Sequence, residues 1–87
     1  MMKEIEVGKV THYYTKIKVA AVKISNSELK IGDKIHIKGH TTDLNQIIDS
    51  MQKEHKEIEV ANPGDEIGIK VIDHVREGDI VYKVIEE

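Results

Sequence analysis

Gly32-Asp33-Lys34-Ile35-His36-Ile37, Gly64-Asp65-Glu66-Ile67-Gly68-Ile69 and Gly78-Asp79-Ile80-Val81-Tyr82-Lys83-Val84 repeat one device three times: a Gly-Asp pair followed at once by an alternating apolar run. Glycine supplies the positive φ of a tight turn, and aspartate tolerates such corners and bonds nearby backbone. The three pairs therefore read as turns that open strands. Short strands separated by frequent turn signals point to a small β-barrel or sandwich. Upstream, Ile5 and Val7 alternate with charged residues, Gly8-Lys9 interrupts, and the alternation resumes through Val10, His12 and Tyr14, as in a strand bent at a bulge. Ile17, Val19, Val22 and Ile24 form its partner, with a hairpin around Tyr14-Thr15 and Tyr14 in the inward phase of Val10. One segment dissents: Leu44, Ile47, Ile48 and Met51 fall at helical spacing behind Thr42-Asp43, so pattern alone places a helix slightly ahead of a strand there.

Composition agrees with the turns. Ile (14) and Val (9) dominate while Leu contributes 2, and β-branched side chains suit pleated sheets better than helices. The 87 residues suffice for a single domain, 1–87, and no linker or low-complexity tract divides them. The longest apolar run, Val19-Ala20-Ala21-Val22, is far short of a bilayer span, and the opening residues are too acidic for a signal peptide, so the expectation is a soluble cytoplasmic protein. Absence of cysteine excludes disulfides, thiolate metal sites and a cysteine nucleophile.

No reactive constellation is readable. His12, His36, His40, His55 and His74 match no metal-ligand spacing; Ser25, Ser27 and Ser50 lie in no nucleophile elbow; no phosphate loop or dinucleotide fingerprint occurs. No enzyme, metal or cofactor is expected. Charge is unevenly distributed: residues 9–40 hold 7 Lys against 2 acids, residues 57–87 hold 9 acids against 3 basic residues, and the whole chain carries -3. With Ile17, Val19, Ile35 and Ile37 inward, Lys16, Lys18, Lys34, His36 and Lys38 point outward, followed by His40. Strands lying side by side would merge these into a basic stripe able to follow a phosphate backbone, with a lysine-rich solvated surface as the plain alternative.

The order of Ser50-Met51-Gln52-Lys53-Glu54-His55-Lys56, Ala61-Asn62-Pro63-Gly64-Asp65-Glu66-Ile67-Gly68-Ile69, Leu29-Lys30-Ile31-Gly32-Asp33 and Val75-Arg76-Glu77-Gly78-Asp79-Ile80-Val81 resembles the second domain of the elongation factor Tu-type translational GTPases. It is also similar to the barrel at the C-terminus of the collagenase-like peptidase family, some of whose members modify RNA. The resemblance covers nearly the whole chain. It implies an all-β fold, a small closed antiparallel β-barrel of the translation-factor domain 2 type, with a strand over Leu44 to Gln52. There is no GTPase domain, so no GTP is expected. The resulting expectation is a non-catalytic, elongation-factor-like module binding tRNA, rRNA, the ribosome or an RNA-modifying partner enzyme through Lys16, Lys18, Lys34, His36, Lys38 and His40. The alternative is a protein-interaction or assembly module for a partner enzyme without nucleic-acid contact.

Overall fold

The computed structural model describes residues 2–86 as ten β-strands: β1 Met2–Tyr14, β2 Val19–Ile24, β3 Leu29–Lys30, β4 Lys34–Lys38, β5 Asp43–Ile47, β6 Met51–Lys53, β7 Lys56–Ile58, β8 Val60–Ala61, β9 Glu66–Lys70 and β10 Ile80–Glu86. Eight of them form one antiparallel sheet in the order β5-β4-β10-β1-β2-β9-β6-β7, while β3 and β8 pair separately, Leu29 opposite Ala61. The β-branched inventory is spent on one core. Val7, Val10, Val22, Ile24, Ile35, Ile37, Ile67, Ile69 and Val81 all lie buried on the concave side, with every second residue of β2, β4 and β9 turned out.

The three Gly-Asp turns are structural copies of one another. Lys30, Asn62 and Arg76 open them, Gly32, Gly64 and Gly78 sit at φ 93°, 95° and 95°, and the aspartate N–H returns to the opening carbonyl at 3.0–3.1 Å. Positive φ at the third position defines a type II turn, and Pro63 occupies the second position where its fixed φ fits. Each aspartate side chain reaches back three residues, accepting the opening N–H at 2.8, 2.9 and 2.8 Å. Each turn also docks on a buried aliphatic residue of a neighbouring segment. The glycine N–H donates to Ile48, Ile24 and Val10 in turn, whose own N–H donates to the carbonyl of Asp33, Asp65 and Asp79. A local signal in the sequence thus becomes three long-range clamps.

The expected closed barrel is corrected: β5 and β7 are edges, and no ladder joins them. At the gap, Gln46 substitutes a side chain for a strand. Its amide donates to the Lys70 carbonyl and accepts from the Ile72 N–H, both at 2.9 Å, and the backbone adds a bond from Lys70 N–H to the Ser50 carbonyl. The sheet curls round its core like a barrel without completing the circuit. The same glutamine explains the misleading helical pattern. Along β5, Leu44 is buried and Ile48 just beyond it is buried, with Gln46 between them on the same side and Ile47 out in solvent at 58% exposure. A polar residue at an inward strand position erased the period of two. The region is two strands broken at residues 48–50, so the helical expectation fails and the strand implied by the resemblance holds in type.

Bulges reset the phase of β1. Its register shifts between Glu6 and Gly8 against β10 and between Val10 and His12 against β2. A side chain at Gly8 would press on the Lys23 carbonyl at 2.6 Å, so the close approach at the first bulge requires glycine. After the second, Tyr13 rather than Tyr14 packs on the core, and Tyr14 stands 50% exposed. Ile17, expected inward, belongs to the turn between β1 and β2 and is 62% exposed.

Candidate functional site

Lys34, His36 and Lys38 share the outer face of β4, opposite the buried Ile35 and Ile37, as alternation requires. Lys16 and Lys18 lie elsewhere, in the exposed β1–β2 turn, and β10 and β1 stand between β4 and β2. Three strand spacings separate the two groups by about 14 Å, so one continuous stripe does not form. His40 is exposed in the connection between β4 and β5.

His36 is engaged within the sheet. Its Nδ1 lies 2.9 Å from Glu4 Oε2 on β1 and its Nε2 lies 2.5 Å from Asp43 Oδ1 on β5, so one imidazole spans four strands, with Tyr82 of β10 beneath it at 6.2 Å between ring centres. The side chain is 13% exposed. Burial opposes a charge on the ring, but the hydrogen bonds it donates to Asp43 and Glu4 and their negative charges outweigh it, holding the pKa above 6.5. Both nitrogens face carboxylates, an arrangement that suits a structural cation better than a free base. Sequence reasoning had no access to Glu4 and Asp43, which reach His36 from 32 and 7 residues away.

The opposite stretch of the sheet has a different character. On the outer face of β2, β9 and β6, Val19, Ala21 and Gly68 floor a shallow depression of about 430 Å³, walled by Tyr14 and Ile17 on one side and by Gln52 and His55 on the other. Glu54 and Glu66 edge it, and neither forms an ion pair among the described residues. The floor is low because Ala21 and Gly68 are cross-strand partners, and Val19 closes over Gly68, where an added Cβ would meet it at 3.0 Å. Two hairpin tips frame it: the β1–β2 turn with Lys18 at φ 55°, and the β6–β7 turn with Glu54 and His55 at φ 52° and 66°. Sequence alternation placed Val19 inward; the structure turns it outward and buries Ala20 instead, and the second β1 bulge, which turned Tyr14 outward, was not readable either.

The surface offers contact chemistry rather than reaction chemistry: apolar side chains in the open, free charges at the rim, and turn aspartates already committed to backbone N–H groups. No helix of the described residues is long and apolar enough to cross a membrane.

No family model matches the chain. It is 42% identical over 97% of its length to a Methanocaldococcus jannaschii protein named as an uncharacterized protease, of which it covers 21%. It is 37% identical over 92% of its length to a Porphyromonas gingivalis collagenase, of which it covers 20%. The chain thus spans about a fifth of the length of the curated relatives it matches. Among solved structures, the C-terminal domain of a Geobacillus thermoleovorans protein described as a U32 peptidase superposes with a TM-score of 0.82, covering 88% of this chain and 96% of that one at 20% identity. A second crystal structure of that domain gives a TM-score of 0.83 at 21% identity. These relatives correct the elongation-factor and RNA-binding expectation and uphold its other limb, the likeness to collagenase-like peptidases. Over nearly its whole length, the chain is similar to one fifth of longer proteins named as protease or collagenase, and its fold is that of the C-terminal domain of a U32 peptidase.

Proposed function

We propose that the chain is a non-catalytic protein-interaction and assembly module that works with a peptidase of the U32 kind. The observation that carries this reading is the match of 97% of the chain to a fifth of a protease-named relative, which leaves four fifths of that relative to supply the chemistry. The chain's own polar groups support it. Its most perturbed histidine is held by two carboxylates, and its three Gly-Asp carboxylates cap turns, so none is left poised for a substrate. Exposed apolar residues, by contrast, mark surfaces that bind other surfaces.

The test is reconstitution. The Methanocaldococcus jannaschii relative is prepared without its matching segment, and either that segment or this chain is added back in trans while complex formation is followed by calorimetry and peptidase activity is assayed. Binding of this chain to the truncated enzyme is the expected result. Binding of the excised segment but not of this chain would remove the proposal.

A further inference from the structure

We propose that His36 is a proton-operated latch on the N-terminal end of β1: with both ring nitrogens protonated it ties Glu4 to Asp43 across the sheet, and on losing one proton it keeps Asp43 and releases Glu4. The inference goes beyond the reading above, since it concerns the module alone and requires no enzyme. Its consequence there is that a change of pH near neutrality alters how firmly one end of the module is held.

Three observations carry it. First, the two bonds fix the protonation state. Ionised carboxylates only accept hydrogen bonds, so Nδ1, 2.9 Å from Glu4 Oε2, and Nε2, 2.5 Å from Asp43 Oδ1, must both donate, and only the imidazolium has two N–H groups. The neutral ring has one, and its other nitrogen then turns a lone pair on a carboxylate. Second, the two partners are unequally placed. Asp43 stands on β5, the strand next to β4, as the cross-strand partner of Lys38, whereas Glu4 lies opposite Val84 and reaches over β10 to the ring. The nearer partner also makes the shorter contact, so the last proton stays on Nε2. Third, the end of β1 that carries Glu4 has little else to hold it. Pairing with β2 begins at Gly8, and among the described residues Met2 to Ile5 pair with β10 alone. Ile5 rests half-buried against the core, Met2 is 59% exposed, and the Asn26 amide reaches only as far as the Glu6 carbonyl, at 3.2 Å.

The groups around the ring set the direction of the switch. On β4 itself, Lys34 and Lys38 share its face two residues away on either side and repel a charge there. On β5, the directly opposite Asn45 is neutral and Asp43 is the bonded acid. On β10, the opposite residue is Tyr82, and on β1 Glu6 lies beyond Tyr82 as its partner, beside Glu4. Burial opposes the charge, but the bonds to Asp43 and Glu4 and their negative charges outweigh it, and the folded pKa is raised above 6.5. A raised folded pKa means that the latch is complete below the unlatched value and is lost as pH rises through the folded one. Histidine is the side chain whose ordinary pKa already lies near this window, so modest changes of pH operate the contact.

Nuclear magnetic resonance of the 87-residue protein between about pH 5 and about pH 9 tests the latch. The ring nitrogen shifts of His36 should show two N–H groups at the acid end and the Nε2–H tautomer at the alkaline end. Hydrogen-exchange protection of the amides from Lys3 to Glu6, corrected for the intrinsic pH dependence of exchange, should fall as the ring titrates. The fall should be about tenfold for each unit by which the His36 pKa of the unmodified chain exceeds that of Glu4→Ala. Protection there should also stay below that of β2 and β9, the mark of a local opening rather than of global unfolding. Glu4→Gln is the decisive variant, because its amide accepts from the protonated ring and donates to the neutral one; protection should then no longer follow the titration. A neutral ring in the Nδ1–H tautomer overturns the proposal. So does protection from Lys3 to Glu6 that ignores the titration, that equals the protection of β2 and β9, or that still follows pH in Glu4→Gln. No enzyme is present in this measurement, so its failure leaves the reconstitution assay to decide enzyme binding separately.

Discussion

On the outer face of β4, β10 and β1 the ionisable groups meet one another: His36 holds both Glu4 and Asp43. On the outer face of β2, β9 and β6 they do not. Glu54 and Glu66 stand at the rim of an apolar depression, with Lys16 and Lys18 in the turn beyond it and no ion pair among the described residues for any of the four. Both faces belong to a single sheet with the same alternation, so secondary structure does not distinguish them. The difference lies in where the side chains reach: His36 bridges to carboxylates on β1 and β5, whereas Lys23, the cross-strand partner of Glu66, donates its Nζ to the Gly64 carbonyl at 3.0 Å instead of pairing with it.

The contrast extends to the turns that lead into each face and can be broken most severely at Asp79. That carboxylate is 5% exposed, accepts the Arg76 N–H and packs against Gly39, where no side chain would fit. Asp79→Ala should cost about 1–3 kcal/mol, since the part-buried Arg76 N–H loses its acceptor and the buried carboxylate leaves a gap beside Gly39. For a domain of this size that lowers Tm by roughly 4–8 °C per kcal/mol, measured by calorimetry. Asp65 performs the same task on the open side, but near solvent and beside Lys53. Asp65→Ala should lower Tm by less than Asp79→Ala, and an equal loss would erase the distinction between the two turns. The Lys53 hydrogen bond, and after it the Asn62 N–H, hold the Asp65 pKa below 3.8. Its contribution is therefore present above that value and disappears as pH falls through the lowered folded pKa.

A gentler test falls on His36. Its folded pKa is raised, so its contribution is complete below the unfolded value of about 6.5 and is lost as pH rises through the folded pKa. Glu4 and Asp43 bond the ring directly, Tyr82 lies under it, and Glu6, Lys34 and Lys38 share the face. Comparing Tm of the unmodified chain and His36→Gln from pH 5 to pH 9, the gap should be widest at the acid end and close toward the alkaline end. A gap independent of pH would show that the ring serves by packing alone. Smallest of all should be the stability effect of Ile17→Ser, within about 0.5 kcal/mol because an exposed turn residue has little to lose.

Much of this molecule follows from its local chemistry. The Gly-Asp turns were readable because positive φ and side-chain-to-backbone bonding depend on a few adjacent residues, and the inward Ile35 and Ile37 of β4 were readable from alternation, whereas Val19 of β2, expected inward, lies on the outer face with Ala20 buried in its place. Segregated charge was visible as well, with lysines early and acids late. Tertiary structure alone decided the rest. Strand order put β10 and β1 between the two lysine groups, two bulges reversed the phase that Tyr14 would otherwise have kept, and Gln46 occupied an inward position to bridge a gap that no strand closes. The reason is physical. Alternation and turn geometry are set by neighbours along the chain, whereas register, strand order and the partner of a charge are set by residues tens of positions away, and a one-residue shift in pairing moves a side chain from one face of the sheet to the other.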